Sequence, residues 1–208
     1  MTVSIVTPWR DALELVPDYE AAVRGAQVVI VDHCSDPAAG VALQELAGRL
    51  GNGSVYLRDV GAWNFARLNN RGLRRATGET VIFLNNDISA SAPWLDLAAR
   101  DCAPGVLCGP APLTRVIDGR PLVYLEGWCI GARRDVWNAV GPWNEEYQGG
   151  YWEDNEICYR AVKMGYVLRG TAWPLRHKSN YTSSTTPGAY AHSDANRDKF
   201  ESLVAADA

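Results

Sequence analysis

The sequence predicts an α/β fold with a mostly parallel central sheet flanked by helices. In the first half, short apolar segments alternate with segments of helical periodicity, and the connections between them are short. This alternation is typical of parallel strands joined by right-handed crossovers. Two of the apolar segments end in a carboxylate, as is typical of the edge where open α/β sheets bind ligands. The 208 residues suffice for one domain with a full core.

The elements of the first half are predicted in order from these patterns. The strands are short and continuously apolar, as expected of strands buried on both faces of a sheet. The third helix has apolar residues close to helical spacing, and Gly78 follows it where glycine commonly ends a helix. We expect strands over 2–7, 27–32, 54–58 and 80–84, and helices over 11–24, 38–49 and 64–76.

The second half predicts a small β-hairpin, one more buried strand and two helices. Asp118-Gly119, a dipeptide that favours hairpin turns, lies between two β-like pieces of the proline-containing stretch 110–121. The remaining elements expected are a strand over 127–132, a helix over 152–164 and a short C-terminal helix. No internal repeat or low-complexity linker divides the chain, so we predict a single domain over 1–208.

Composition and charge argue against several classes of function. A net charge of −4 and a pI of about 5.4 do not provide the basic surface that nonspecific nucleic-acid binding requires. No segment approaches the ~20 apolar residues of a membrane-spanning helix, and the first residues do not resemble a secretory signal. Five scattered cysteines favour reduced thiols. We therefore expect a cytoplasmic protein without a membrane span, and an enzyme that uses a nucleotide remains compatible with this composition.

The most informative segment is 81–87, where an apolar strand ends in Asn85-Asn86-Asp87. These side chains offer oxygen ligands, which suit a hard divalent cation. A simpler interpretation is a polar turn after a strand. Thr7-Pro8 and Asp32 end two other predicted strands, and the carboxyl ends of parallel strands meet at one edge of a sheet. The sequence therefore predicts a ligand-binding edge, to which Glu153-Asp154 and His177 of the second half can contribute.

An ordered set of segments carries a family resemblance over roughly residues 2–180. The segments are Ser4-Ile5-Val6-Thr7-Pro8, Val29-Ile30-Val31-Asp32, the stretch from Asn64 to Gly72, Phe83-Leu84-Asn85-Asn86-Asp87, the stretch from Cys129 to Val140, the stretch from Glu153 to Gly165, and His177. In this order they resemble family-2-type glycosyltransferases of the GT-A (nucleotide-diphospho-sugar transferase) fold, and especially their rhamnosyltransferase-like branch. The specificity lies in the ordered set, because no single segment is very specific.

The resemblance implies donor-side and catalytic roles for these positions. Asp32 would accept hydrogen bonds from the nucleotide base, and Asp87 with His177 would bind Mn²⁺ or Mg²⁺. Asp154 would be the general base, and Glu153 would support that base or the acceptor. The other donor-binding residues that the resemblance implies are Thr7, Pro8, Arg67, Asn70, Asn85 and Asn86.

The second half would then bind the acceptor. Residues 1–109 would form the nucleotide-sugar-binding half, and 110–208, with the C-terminal tail, the acceptor-binding half. The loop 142–152 is rich in glycine and aromatic residues, and we expect it to form an acceptor wall. The Ser- and Thr-rich segment 178–191 is expected to act as a lid that excludes water. The candidate acceptor residues are Trp128, Trp143, Tyr151 and Trp152.

Sugar transfer explains why these residue types are needed. The leaving diphosphate gains negative charge, which a divalent cation can neutralise, and an imidazole ligand favours Mn²⁺ over Mg²⁺. The attacking hydroxyl must lose a proton to a carboxylate, and the start of a helix favours the ionised form of Asp154. In-line attack with one base predicts inversion. A UDP-sugar is the expected donor, with a dTDP-sugar as the alternative. The candidate acceptors are a glycan, a lipid-linked sugar, a small molecule and a modified base of nucleic acid.

Two other functions remain open from the sequence. A nucleotidyltransferase usually carries a glycine-rich triphosphate loop after the first strand, and the stretch 7–11 contains no glycine. A non-catalytic nucleotide-sugar-binding module would lack a base, which Glu153-Asp154 provides, although acids in the first turn of a helix can also be purely stabilising. Asp87 is the only carboxylate of its triplet, so metal binding is expected to be weak without the donor diphosphate.

Overall fold

The computed structural model describes residues 1–110, 112–178, 181 and 188–207. Its strands are β1 (Val3–Trp9), β2 (Gln27–His33), β3 (Val55–Asp59), β4 (Thr80–Leu84), β5 (Ile88–Ala90), β6 (Val106–Pro110), β7 (Leu113–Ile117), β8 (Arg120–Tyr124), β9 (Cys129–Arg133), β10 (Val167–Thr171) and β11 (Leu175–His177). Its α-helices are α1 (Val16–Val23), α2 (Pro37–Leu50), α3 (Phe65–Leu73), α4 (Leu95–Asp101), α5 (Arg134–Val140), α6 (Glu153–Lys163) and α7 (Ser193–Ala206).

The predicted α/β fold with a mostly parallel central sheet is confirmed. The main sheet has seven strands in the order β10-β6-β9-β4-β1-β2-β3. Strands β1 to β4 run parallel to their neighbours among themselves, as do β6 and β10, whereas β9 runs antiparallel to both β4 and β6. Two small antiparallel pairs, β5 with β11 and β7 with β8, lie outside this sheet. The second pair is the predicted hairpin, with Asp118 and Gly119 both at positive φ in its turn.

The core lies on both faces of the sheet because the central strands β1, β2 and β4 are buried along almost their whole length. Successive side chains of a strand point to opposite faces. Ile5 and Ile30 therefore pack into one core cluster, beneath α1, α2 and α4, whereas Val6 and Val31 pack into the other, beneath α3, α5 and α6. This two-sided burial explains why the strands were recognisable as continuous apolar segments.

Several elements differ from the sequence prediction. The expected helix over 11–24 is a short 3₁₀ turn, Leu13–Leu15, followed by α1. The expected helix over 64–76 ends at Leu73, and Gly78 instead allows close contact with the backbone of Ser4, which a Cβ atom would approach to 2.6 Å. Helices α4 and α5 and strands β5, β6, β10 and β11 were not predicted. Among the described residues, no helix is long and apolar enough to cross a membrane.

Candidate active site

A cleft opens at the carboxyl edge of the sheet and brings together most of the predicted site residues. The strand ends contribute Pro8, Asn85, Asn86 and Asp87 to its lining. The second half contributes Trp128, Tyr151, Glu153, Asp154 and His177. The two halves of the chain thus meet across one cleft.

Asp87 and His177 are adjacent because β11 pairs with β5, the short strand that follows Asp87. In this antiparallel pair His177 lies opposite Ile88, and the amide of Lys178 donates to the carbonyl of Asp87 at 2.8 Å. This register places Nε2 of His177 3.1 Å from Oδ1 of Asp87. The Trp128 ring stacks on the imidazole, with 4.7 Å between centroids and an interplanar angle of 8°. Strand pairing and stacking therefore fix both side chains.

The donor atoms of this pair fit a divalent cation. Asp87 Oδ1 and His177 Nε2 are both buried, and neither has a hydrogen-bond partner among the described residues, although the two atoms face each other at 3.1 Å. A carboxylate oxygen and an imidazole nitrogen are suitable ligands for Mn²⁺. No group of three or more His, Cys, Asp or Glu residues that could hold a metal occurs within the described part of the chain. A cation at this pair would therefore have two ligands of these residue types among the described residues.

Asp154 enters the cleft at the start of α6. Its carboxylate accepts hydrogen bonds from the amide of Gly127 at 3.0 Å and from the amide of Asn155 at 2.8 Å. Burial raises the pKa of Asp154, and these backbone hydrogen bonds and the charge of Arg115 oppose that rise without cancelling it. The local field of the helix start, expected to favour the ionised form of Asp154, is therefore opposed by desolvation. A carboxylate with a raised pKa is a stronger base.

Glu153 lies beside Asp154 and is almost completely buried, with 4% of its surface exposed. Its Oε2 atom has no hydrogen-bond partner among the described residues. Burial, followed by the neighbouring charge of Asp154, raises the pKa of Glu153 well above its ordinary value. The two neighbouring carboxyls are therefore coupled, and burial disfavours a second negative charge beside Asp154.

Two predicted donor-binding residues are buried beneath the cleft and do not line it. Thr7 Oγ1 lies 2.5 Å from the hydroxyl of Tyr19, in a hydrogen bond inside the core. Asp32 is fully buried and accepts hydrogen bonds from the hydroxyl of Tyr56 at 2.5 Å and from Arg58 at 3.1 Å. Both side chains therefore have internal partners in this structure.

Arg67 and Asn70 hold neighbouring loops and do not line the cleft either. Arg67 donates to Asp59 at 2.7 Å and to the carbonyl of Ala62 at 2.8 Å. The Asn70 side chain accepts from the amide of Trp143 and donates to the carbonyl of the same residue, both at 2.9 Å. The segment of α3 that carries the family resemblance therefore supports the loops that border the site.

Trp143 and Trp152, proposed from the sequence as acceptor residues, belong to the core. Trp143 packs edge-on against Phe65 and Phe83. Trp152 packs near Phe200, and the guanidinium carbon of Arg115 lies 4.1 Å from the centre of its ring. Their large apolar surfaces are used for packing, which is the commoner role of buried tryptophan.

The cleft also contains residues that the sequence did not single out. Trp63, Phe65 and Glu126 line it, and Tyr190 stacks on Tyr151 with 4.7 Å between ring centroids. No pattern in the sequence distinguishes these residues from ordinary core or surface positions. Of the predicted lid over 178–191, the residues 179–180 and 182–187 lie outside those described.

The comparisons with known proteins show the fold. No profile of a known protein family matches the chain. Residues making up 82% of the chain align at 25% identity with the uncharacterized protein y4gI of Sinorhizobium fredii, of which they span 24%.

Solved glycosyltransferases share the architecture at low identity. The mannosyltransferase PcManGT from Pyrobaculum calidifontis, in complex with GDP-Man and Mn²⁺, aligns over 81% of this chain and 54% of its own, with a TM-score of 0.66 and 18% identity. GalNAc-T7 with UDP, GalNAc and Mn²⁺ aligns over 96% and 50%, with a TM-score of 0.70 and 13% identity. TarS 1-349 of S. aureus aligns over 86% and 61%, with a TM-score of 0.63 and 16% identity. The chain therefore spans only about half to three fifths of these structures.

Proposed function

We propose that this protein, which has the GT-A fold of those enzymes, transfers a sugar from a nucleoside-diphosphate donor to an acceptor hydroxyl. The observation that carries the proposal is the meeting of Asp87, His177 and Asp154 in one cleft at the carboxyl edge of the sheet. A cation-ligand pair and a buried base are the two devices that this chemistry requires. A nucleotide-binding module without activity would not need the second.

The donor would be held from the Asp87 side of the cleft. Asp87 and His177 would bind Mn²⁺ or Mg²⁺, which when bound neutralises charge on the leaving diphosphate. Pro8, Asn85 and Asn86, at the ends of β1 and β4, line the same cleft and would contact the donor. Two of the structural neighbours contain Mn²⁺, which supports a divalent cation at this pair.

Asp154 would act as the general base. It would accept the proton of the acceptor hydroxyl while that oxygen forms a bond to the anomeric carbon. The bond from that carbon to the diphosphate oxygen breaks at the same time, and its electron pair leaves with the nucleoside diphosphate. With one base and in-line attack, we propose inversion of the anomeric centre. Glu153, buried beside it, would support Asp154 or the acceptor.

The second half would bind the acceptor through the aromatic side of the cleft. Trp128 and Tyr151 line the cleft with Asp154, Tyr190 stacks on Tyr151, and such aromatic rings suit the C–H faces of a sugar. We therefore propose 1–109 as the nucleotide-sugar half and 110–208 as the acceptor half, with a glycan, a small molecule or a modified base as acceptor. The donor is proposed as a UDP-sugar, and the rhamnosyltransferase-like resemblance makes a dTDP-sugar the alternative. The five free cysteines favour a cytoplasmic location.

The proposal is tested by measuring nucleoside diphosphate release from UDP-, GDP- and dTDP-sugars, with Mn²⁺ and with EDTA. Asp154→Asn is expected to lower turnover by about 10²–10⁴-fold while retaining donor affinity. Asp135→Asn, the same change at an exposed position on α5, is the matched control and should keep wild-type turnover. Donor binding without turnover of any donor by the wild type, with or without candidate acceptors, would instead identify a binding module.

A further inference from the structure

We propose that Asn196, on the C-terminal helix α7, is a positioning residue that sets the location of the Glu153–Asp154 carboxylates by holding the turn before α6. The inference rests on the proposed function for its consequence in catalysis, and on geometry alone for the contact itself. Asn196 lies outside the cleft lining, so it would act through the backbone and not by touching substrate.

The side-chain amide of Asn196 is surrounded by backbone carbonyls of this turn. Its Nδ2 atom lies 2.8 Å from the carbonyl oxygen of Gln148, 3.2 Å from that of Gly150 and 3.1 Å from that of Tyr151. The residue is buried, with 3% of its surface exposed. Because carbonyl oxygens only accept hydrogen bonds, this environment requires a donor at the Nδ2 position.

The turn that Asn196 holds has a conformation that needs support. Tyr151 and Trp152 both have positive φ, 74° and 77°, a region that non-glycine residues seldom occupy and that persists only where the surroundings enforce it. On the other side of the turn, the amide of Phe65 donates to the carbonyl of Gly149 at 2.8 Å. The backbone is therefore held from α3 on one side and from α7 on the other.

The held turn leads directly into the proposed base. Trp152 precedes the first residue of α6, and the amide of Glu156 donates to its carbonyl at 2.9 Å. A relaxation of φ at Tyr151 or Trp152 would rotate the first turn of α6 and move Asp154 away from the amide of Gly127. His177 lies on β11 and Asp87 lies between β4 and β5, and the turn carries neither of these segments. Loss of the Asn196 contacts should therefore affect proton transfer more than donor binding.

Kinetics separate positioning from general packing. With the donor that the wild type turns over best, Asn196→Ala is expected to lower kcat by about 10²-fold, the loss expected for a misplacement of about 1 Å, with an unchanged KM for the donor. Asn196→Asp should be at least as impaired, because a similar shape then presents an acceptor to three carbonyls. Asp207→Ala, which removes the contacts of the end of α7 with Tyr159 and Lys163 but none of the hydrogen bonds to the turn, should leave kcat close to wild type.

Hydrogen–deuterium exchange tests the contact without any substrate. Amides over 149–155 should exchange faster in Asn196→Ala than in wild type, and Asp207→Ala should not reproduce this local change. Unchanged exchange in Asn196→Ala overturns the inference whether or not the protein is active. An active wild type whose kcat is unaffected by Asn196→Ala overturns it as well. If Asn196→Ala speeds exchange over 149–155 but the wild type turns over no donor, the proposed function is overturned. The hydrogen bonds from Asn196 to the turn then stand as a structural contact only.

Discussion

Glu153 lies beside the proposed base, and its burial favours the neutral carboxyl over the charged carboxylate. Its raised pKa means that the folded protein binds this proton more tightly than the unfolded chain does. The stability contributed by Glu153 is therefore fully present below the ordinary glutamate pKa of about 4.3, and it is lost as the pH rises toward the raised value. Such a cost is typical of functional sites.

Glu153→Gln is expected to raise the Tm at neutral pH, since glutamine is neutral at every pH and nearly isosteric. The difference from wild type should disappear at about pH 4, where Glu153 is protonated in both states. Calorimetry as a function of pH measures this, with Glu201→Gln, an exposed position on α7, as the control. A Tm below that of wild type at neutral pH would show that Glu153 is stabilising as a carboxylate.

Arg115→Met should shift the acidic limb of the kcat profile to higher pH. Asp154 must be ionised to accept a proton, so activity falls as the pH falls through its pKa. Burial raises that pKa and the Arg115 charge lowers it, so removing the charge raises it further. Arg120→Met, at an exposed position on the same hairpin, is the matched control. An unmoved limb in Arg115→Met would separate this guanidinium from the ionisation of Asp154.

The sequence predicted which residues meet at the cleft better than it predicted which side chains form hydrogen bonds with them. Asp87, His177 and Asp154 share one cleft as expected. Asp32 also lies at a strand end as expected, but Tyr56 and Arg58 of β3 supply its hydrogen bonds. Those contacts depend on the register between β2 and β3, which a strand pattern does not specify.

At the scale of elements, helix α3 packs unusually close to the sheet at Gly72. A Cβ atom there would lie 2.2 Å from Cγ1 of Val6. Gly72→Ala is therefore expected to destabilise the protein by about 1–3 kcal/mol, the usual cost of overpacking. Gly48→Ala, in α2 where an added Cβ atom would meet nothing within 4 Å, should stabilise by about 0.5–1 kcal/mol. Urea unfolding measures both, and a stabilising Gly72→Ala would contradict this packing.

The elements that the sequence missed are those without a local pattern. β5 and β11 have three residues each, too few for periodicity to be recognised. Their pairing joins residues 88–90 to 175–177, and this long-range contact is what brings His177 to Asp87. β1, β2 and β4, by contrast, were predicted because burial on both faces leaves a continuous apolar segment.

At the scale of the whole molecule, the sheet supplies one wall of the cleft and the second half of the chain supplies the other. The alternation of strands and helices was enough to predict the sheet, because parallel strands require crossovers of this kind. The conformation of the turn before α6 could not be predicted from the sequence, since its backbone is held by Asn196 of α7 and by Phe65 of α3. These contacts join segments that are distant in the sequence.

The most direct test of the central claim is the position of Mn²⁺, located by its anomalous scattering, in crystals grown with a nucleoside diphosphate. We expect one ion bound to both Asp87 and His177, in contact with the diphosphate, with Asp154 across the same cleft. An Asp87→Asn protein should lose that ion. Nucleotide bound elsewhere, or an ion that contacts neither Asp87 nor His177, would contradict the account.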